Sequence, residues 1–212
     1  MMLYLVRHGR SRANEAGLVT GTPADMLSEE GIAQAGRTAA WLSGAGIVAD
    51  RHIVSQWRRA QGTAALLVPG GQWEIDSRVG ETDAGEVADW TVARFKEANP
   101  DFGESPADRY PGGESHLDLN ARVMDWLEDV LVRPDERVLV VAHSGPISCI
   151  LQWVTGVGME RFPAFLPGHA SLSIVDVQVC TGKPTGRLLG FSLGPSENFA
   201  PAFYGAAGRQ SS

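Results

Sequence analysis

The sequence predicts an α/β fold whose mostly parallel sheet carries the functional site. Two uninterrupted apolar runs, residues 3–6 and 138–142, have the length and composition of buried strands in a parallel sheet. Each run leads into a histidine with a glycine close behind it, at His8 and at His143. Because ligands bind beyond the carboxyl ends of parallel strands, the two imidazoles share one crevice if these strands are neighbours.

Length and composition place the chain among soluble globular proteins. Its 212 residues suffice for one sizeable core, and 43% hydrophobic and 20% charged residues are ordinary values. The net charge of -7 argues against a nucleic-acid partner. No run reaches the ~20 apolar residues of a membrane span, and no signal peptide is visible. We therefore expect a cytoplasmic protein with no membrane partner.

The domain organisation is simple. We expect a single domain over residues 1–204, and a disordered tail over residues 205–212 because that stretch is small and polar. The two cysteines, Cys149 and Cys180, lack the spacing of a metal site and are too few for a disulfide framework. Cys149 lies in an apolar stretch, so a buried thiol is expected there.

Helices alternate with short strands between the two histidines. Ser28, followed by two acidic residues, predicts a helix N-cap. The buried face of that helix is expected to hold Ile32, Ala35, Ala39 and Leu42. Residues 53–55 read as a short strand that leads into a helix ending near residue 68, and residues 73–75 read as another short strand.

The clearest helix is predicted over residues 115–132. Its expected buried stripe consists of Leu117, Ala121, Met124, Leu127 and Leu131. Another helix follows over residues 146–154, with strands at 170–179 and 187–193. The polar, irregular segment before residue 113 contains a short helix near 90–98 and is either a lid over the pocket or a solvated loop.

Arginines accompany the histidines at the predicted strand ends. Arg7 directly precedes His8, and Arg58 and Arg59 follow the short strand at 53–55. A guanidinium presents a planar fork of donors that matches phosphate oxygens. The sequence therefore predicts an anion pocket that contains a potential imidazole nucleophile.

Five motifs in chain order resemble the signature of the histidine phosphatase superfamily, the phosphoglycerate mutase-like fold. They are residues 5–9 with Asn14, residues 55–64, Glu81 with Gly85, residues 111–115 and residues 140–145. Residues 111–115 match a helix-entry motif of the family's phosphatases. The resemblance therefore favours the phosphatase branch. It implies a three-layer α/β/α sandwich with a mostly parallel central sheet and a small cap insertion at about residues 86–113.

The resemblance also implies a mechanism. His8 would attack phosphorus and form a phosphohistidine. Arg7, Arg59 and His143 would hold the phosphoryl oxygens. Glu81 would protonate the leaving oxygen and then activate water. No metal and no other cofactor is required in this scheme.

Several assignments stay open in the sequence. Asp83 and Glu86 lie close enough to Glu81 to replace it as the acid. Asn14 fits a turn cap and a phosphate contact equally well, and His116 looks like an ordinary residue of a first helical turn. Further substrate-binding residues are expected at Thr20, Gly21, Ser144 and His169.

Four positions depart from the family's pattern without removing a catalytic residue. They are Arg10, Gln56, Gly80 and Ser144. Arg10 stands where the family usually has a glutamate. It either adds positive potential near the mouth of the pocket or is a surface charge.

The favoured function is hydrolysis of a small phosphorylated metabolite by a phosphomonoesterase. The family's mutases carry a pair of adjacent arginines after the acid motif, and residues 81–113 contain only scattered cations. Mutase-type phosphoryl transfer and a non-catalytic protein that binds phosphate esters are the alternatives. The aromatic residues of the cap either contact a partly apolar substrate or pack the interior of the cap. They are Trp90, Phe95, Phe102 and Tyr110. The oligomeric state stays open, with a homodimer as one possibility.

Overall fold

Six strands form one mixed sheet in the computed structural model, which describes residues 1–133, 137–180 and 183–199. In chain order they are β1 (Met2–Arg7), β2 (Arg51–Val54), β3 (Glu74–Ile75), β4 (Arg137–Ala142), β5 (Leu172–Cys180) and β6 (Lys183–Leu193). Their order across the sheet is β3-β2-β4-β1-β5-β6. The strands from β3 to β1 are parallel to one another, whereas β5 and β6 add antiparallel pairs. The predicted tail at 205–212 lies outside the described residues.

The two long apolar runs form the centre of the sheet. β1 and β4 pair in parallel, with Leu5 opposite Val140. The ladder continues past β1, where the backbone N–H of His8 donates to the carbonyl of Ala142 at 3.0 Å. The two strands are therefore neighbours, and His8 and His143 leave the sheet at the same edge.

Helices cover both faces of the sheet. They are α1 (Arg12–Glu15), α2 (Glu29–Gly44), α3 (Arg58–Leu67), α4 (Val92–Ala98), α5 (His116–Leu131) and α6 (Ser144–Thr155). Because side chains alternate along a strand, Leu3 and Leu5 of β1 pack with α5 and α6, whereas Val6 packs with α2 and α3. This arrangement confirms the predicted three-layer α/β/α fold.

The buried face of α5 differs from the predicted stripe. Ser115 caps the helix as expected, but Leu117 is 42% exposed and Ala121 is exposed. The fully buried positions are Leu119, Val123, Trp126, Leu127 and Val130. Apolar residues occupy most of the circumference of this helix, so their spacing alone does not select the face that meets the sheet.

The buried face of α2 is more polar than predicted. Its N-cap Ser28 is confirmed, whereas Ile32 is 51% exposed instead of buried. Gln34 and Thr38 are buried in its place. Gln34 accepts from the backbone N–H of Arg10 at 3.0 Å, and the Thr38 hydroxyl donates to the Ala170 carbonyl at 2.7 Å. The polar side chains of this face make hydrogen bonds with backbone N–H and carbonyl groups of the site loops. A hydropathy pattern does not reveal this requirement.

The segment at 86–113 has a small hydrophobic cluster of its own. Val87, Ala88 and Phe95 are buried in it, with Phe102 and Tyr110 packed against them. Backbone hydrogen bonds to Val19 and Gly21, among others, attach the segment to the early loop. None of the helices in the described part of the chain has the length and hydropathy needed to cross a bilayer.

Candidate active site

His8 lies one residue beyond β1 and is 1% exposed. Its Nδ1 is 2.6 Å from the carbonyl oxygen of Gly9, so this nitrogen carries the proton and donates it. The Nε2 atom is then left with a lone pair, which accepts from Nε of Arg59 at 3.1 Å. Burial, followed by the positive charges of Arg59 and other neighbours, holds the pKa of His8 well below its usual value. The imidazole is therefore neutral, which is the nucleophilic form.

Residues of the loop before β5 position the guanidinium of Arg7. Its Nη1 donates to the carbonyl of Pro167 at 2.7 Å, and its Nη2 lies 2.9 Å from Nε2 of His169. Burial lowers the pKa of Arg7 to about 10, so the guanidinium remains charged at neutral pH. Burial and the charges of Arg7 and Arg10 lower the pKa of His169 to about 3. Nε2 of the neutral His169 lies between Nη2 of Arg7 and Oδ1 of Asn14, at 2.9 and 3.1 Å, and the role of Arg10 at the mouth of the pocket stays a prediction.

Arg59 enters the site from the first turn of α3 and is 2% exposed. Its Nη1 donates to the carbonyl of Thr20 and to Oδ2 of Asp25, each at 3.0 Å. Its guanidinium carbon lies 4.3 Å from the ring centroid of Trp57. Arg58, one residue earlier, is exposed. The structure thus places Arg59, and not Arg58, beside His8.

His143 follows β4 and stands at the N-terminus of α6. Its ring centroid is 4.8 Å from that of His8. Its Nε2 lies 2.8 Å from Oγ of Ser55, a contact that sequence reasoning missed although Ser55 opens the 55–64 motif. Burial and the nearby charges of Arg59 and Arg7 hold the pKa of His143 well below its usual value. Two neutral imidazoles therefore stand side by side.

Glu81 occupies the opposite wall of the site. Oε1 accepts from the backbone N–H of Thr82 at 3.0 Å, and Oε2 accepts from the hydroxyl of Ser144 at 3.3 Å. A methyl group on Gly145 would collide with Oε1, so the glycine leaves room for the carboxylate. The alternative acid Asp83 is exposed, and its Oδ1 caps the N–H of Gly85 at 2.9 Å.

The loop that carries Glu81 is fixed by Arg122 of α5. Nη1 donates to the carbonyls of Arg78 and Gly80, and Nη2 donates to the carbonyl of Glu81 at 2.8 Å. Nε and Nη2 of Arg122 donate hydrogen bonds to the carboxylate of Glu114, at 2.8 and 2.9 Å. Sequence reasoning missed Arg122, and the only signal was the position of Glu114 in the 111–115 motif. This pair therefore fixes the backbone of the loop that carries Glu81.

These groups surround a cavity of about 310 Å³. Seven of the ten predicted site residues line it, and they are Arg7, His8, Asn14, Thr20, Arg59, Glu81 and Ser144. His143, Gly21 and His169 do not contribute to the lining and lie directly behind it, against Ser55, Arg59 and Arg7 respectively. The interpretation of His116 as an ordinary helix residue was wrong, because it lines the cavity. Sequence reasoning also missed the lining residues Val19, Thr82, Gly145, Phe162, Pro163 and Leu166.

Asn14 has the local role that its sequence context allowed. Its Oδ1 accepts from the backbone N–H and the hydroxyl of Ser11, at 3.1 and 3.0 Å, and completes a capping box. The turn cap is therefore confirmed, and the phosphate contact stays a prediction. Gly9 allows the loop after β1 to pack closely on α2, because a side chain there would collide with the backbone of Gly31.

Among the described residues, no cluster of three or more histidine, cysteine or acidic side chains could hold a metal ion. What the arrangement offers is a neutral imidazole with an unprotonated Nε2, two fixed guanidinium groups and a carboxylate in the same cavity. This combination can stabilise a phosphoryl group and transfer a proton at its far side.

The buried histidines predict a loss of stability in mild acid. In the unfolded chain an imidazole titrates near pH ~6.5, whereas the pKa values of His8, His143 and His169 are lowered in the folded protein. Unfolding therefore takes up protons below this pH, and stability falls as the pH falls. Between pH ~7.5 and ~5.5 each such imidazole costs ~1.4 kcal/mol.

The measurement is urea unfolding at these two pH values. We expect His169→Gln to reduce the pH-dependent loss of unfolding free energy by about one imidazole's share, ~1 kcal/mol. Equal pH dependence in the variant and the wild type would contradict a neutral, half-buried His169.

Comparison with known proteins identifies the family. The model of the histidine phosphatase superfamily (branch 1) matches residues 3–185. A 2,3-bisphosphoglycerate-dependent phosphoglycerate mutase from Methylorubrum populi is 30% identical over 200 residues, which cover 86% of this chain and 87% of that protein. The 6-phosphofructo-2-kinase/fructose-2,6-bisphosphatase 4 of Homo sapiens is 33% identical over 184 residues, which cover 82% of this chain and 37% of that protein.

Solved structures give the same result. A mycobacterial glucosyl-3-phosphoglycerate phosphatase superposes with a TM-score of 0.79 and 26% identity, covering 90% of this chain and 98% of that one. The family match and the phosphatase neighbours confirm the prediction of a phosphoric monoester hydrolase. Since the family model spans the chain from β1 into β6, this chain belongs to the histidine phosphatase superfamily.

Proposed function

We propose that the protein is a metal-independent phosphomonoesterase that hydrolyses a small phosphorylated metabolite through a phosphohistidine on His8. The observation that carries this proposal is the state of the His8 ring. Nδ1 is committed to the Gly9 carbonyl at 2.6 Å, and Nε2 presents its lone pair to Nε–H of Arg59 at 3.1 Å. A histidine with only a structural role would not need its second nitrogen held beside a buried cation.

In the first step, Nε2 of His8 attacks phosphorus in line and the bond from phosphorus to the ester oxygen breaks. Protonated Glu81 gives its proton to the departing oxygen, so the product leaves as a neutral alcohol. Arg7 and Arg59 stabilise the charge that spreads over the phosphoryl oxygens. The Nε–H of Arg59 now contacts His8, and it would turn to a phosphoryl oxygen as the substrate binds.

In the second step, the carboxylate of Glu81 removes a proton from water and the resulting oxygen attacks the phosphohistidine. The bond between phosphorus and Nε2 breaks, inorganic phosphate is released, and His8 returns to its neutral form. The segment at 86–113 acts as a small cap, since its Tyr110 contributes to the cavity wall. Arg7 and Arg59 supply the positive charge that a metal ion supplies in other phosphatases.

Hydrolysis of p-nitrophenyl phosphate in excess EDTA tests this function. We expect full turnover with the chelator, together with an acid-labile, base-stable phosphoryl label on the protein after a rapid quench in alkaline detergent. Activity that disappears with EDTA and returns with a divalent metal would contradict the proposal. Stoichiometric binding of the ester without turnover would instead favour a binding protein.

Mutase-type phosphoryl transfer is the second candidate, because curated relatives at 30% identity are phosphoglycerate mutases. The structure disfavours it for this chain. Of the described residues that line the cavity, the permanent cations are Arg7 and Arg59, and both are engaged at the phosphoryl end. We expect negligible formation of 2-phosphoglycerate from 3-phosphoglycerate. Rapid interconversion of the two would reverse the ranking.

A further inference from the structure

The cavity has two chemically different ends. The phosphoryl end contains His8, Arg7 and Arg59. The other end is bounded by the rings of Tyr110, His116 and Phe162, which we call the aromatic wall. The His116 and Phe162 centroids are 4.6 Å apart with an interplanar angle of 43°, and those of His116 and Tyr110 are 6.1 Å apart at 77°.

The wall is built from three separate parts of the chain, each held by packing behind it. Tyr110 belongs to the 86–113 segment, where its centroid is 4.5 Å from that of Phe102 and 5.4 Å from that of Phe95. Phe95 and Phe102 do not line the cavity. The cap aromatics therefore mostly form the cap's own core, and Tyr110 is the one that joins the cavity wall. Phe162 packs against the main core from the loop before β5.

The charged residues that line the cavity are Glu81, Arg7 and Arg59, and the two arginines belong to the phosphoryl end. Burial lowers the pKa of His116, which leaves the ring neutral at neutral pH, and the charged groups that act on it are the carboxylates of Glu81 and Asp108. Arg109 pairs with Asp118 at 2.6 Å, and the guanidinium of Arg94 stacks 3.5 Å above the ring of Trp90. Among the described lining residues, a second anionic group on a substrate would therefore find no guanidinium beyond Arg7 and Arg59.

We propose that this site selects phosphomonoesters whose leaving alcohol is uncharged and presents an aromatic or other apolar ring to the aromatic wall. This inference rests on the proposed phosphatase function and specifies its substrate class. A ring bound beside Phe162 and Tyr110 gains stacking or edge contacts of the kind that the wall residues already make with one another. Pro163 and Leu166 extend the same apolar surface. A carboxylated or doubly phosphorylated compound would lose its hydration there without gaining a cation.

The test compares three substrates that all release an alcohol: benzyl phosphate, glycerol 3-phosphate and 3-phosphoglycerate. We expect kcat/KM to be about 10- to 100-fold higher for benzyl phosphate than for glycerol 3-phosphate, with 3-phosphoglycerate lowest. In Phe162→Ala, kcat/KM for benzyl phosphate should fall about tenfold, whereas that for glycerol 3-phosphate should change by less than about threefold.

Two further variants keep the result interpretable. Phe162→Leu preserves an apolar side chain if the alanine variant folds poorly, and it should lose part of the preference. Phe191→Ala is the matched control, because Phe191 is a partly exposed aromatic residue of β6 outside the cavity, and it should retain the full preference.

The possible failures are distinguishable. A wild-type preference for 3-phosphoglycerate, or an unchanged preference in both Phe162 variants, would overturn the substrate class and leave the phosphatase proposal standing. No hydrolysis of any of the three compounds and no phosphoryl label would contradict the proposed function itself, and the substrate class with it.

Discussion

His8→Ala is expected to lower kcat by about 10⁴-fold or more and to remove the acid-labile phosphoryl label completely. The substitution deletes the one imidazole whose Nδ1 is bound by the Gly9 carbonyl and whose Nε2 faces the guanidinium of Arg59. Arg7 and Arg59 would remain to bind the phosphoryl group, so substrate affinity should change far less than turnover. Single-turnover labelling with a radioactive phosphomonoester and equilibrium binding of inorganic phosphate measure the two effects separately.

The matched control for this experiment is His52→Ala. His52 lies in β2, 5.1 Å between ring centroids from Trp73, and it does not line the cavity. This variant should retain both turnover and label. A label that persists in His8→Ala would assign the phosphoryl acceptor to another group, and His143 at 4.8 Å between ring centroids would be the first to examine.

The part of the site that follows the sheet was predictable from the sequence because its signals are local. An apolar run that stops at a histidine identifies a strand end, and two such ends meet when the strands are parallel neighbours, as β1 and β4 are. The choice of Arg59 over Arg58 came from the family motif. The helix shows its physical basis, since Arg59 shares the buried face of α3 with Ala60 and Thr63.

The rest was not predictable because it depends on how distant segments meet. His116 and Phe162 are 46 positions apart in the chain, and nothing near either residue indicates that their rings lie 4.6 Å apart in one wall of a cavity. Arg122 acts on backbone carbonyls of the Glu81 loop, which leave no trace in the sequence. The close packing of Gly9 against Gly31 could not be predicted for the same reason, because Gly31 lies in α2, at a distant position in the chain.

Glu81→Gln is expected to separate the two chemical steps. The glutamine can keep the contacts with the Thr82 N–H and the Ser144 hydroxyl, but it can neither donate an acidic proton nor accept one from water. A p-nitrophenolate leaving group departs without protonation, so formation of the phosphohistidine should continue while its hydrolysis slows by about 10²- to 10⁴-fold. We expect a stoichiometric burst of p-nitrophenol and an accumulated phosphoryl label.

With benzyl phosphate the same variant should give no burst, because the alkoxide of an aliphatic alcohol must be protonated as it leaves and both steps then slow together. The matched control is Asp83→Asn, which removes an exposed carboxylate two residues away and should leave both steps within about threefold of wild type. Bursts of equal size with the two substrates would show that Glu81 does not protonate the leaving group. A burst in Asp83→Asn would transfer the role to Asp83.

Gly145→Ala tests the same assignment while leaving the carboxylate in the chain. The added methyl group would displace Oε1 of Glu81 and would also lie 3.0 Å from Cδ2 of the buried Leu119, so a loss of stability of about 1–3 kcal/mol from overpacking is expected. The variant should remain folded in the absence of urea and yet reproduce the p-nitrophenol burst of Glu81→Gln. If it instead turns over at the wild-type rate, the position of Glu81 against α6 is not what catalysis requires, and the acid must act from another rotamer or another residue.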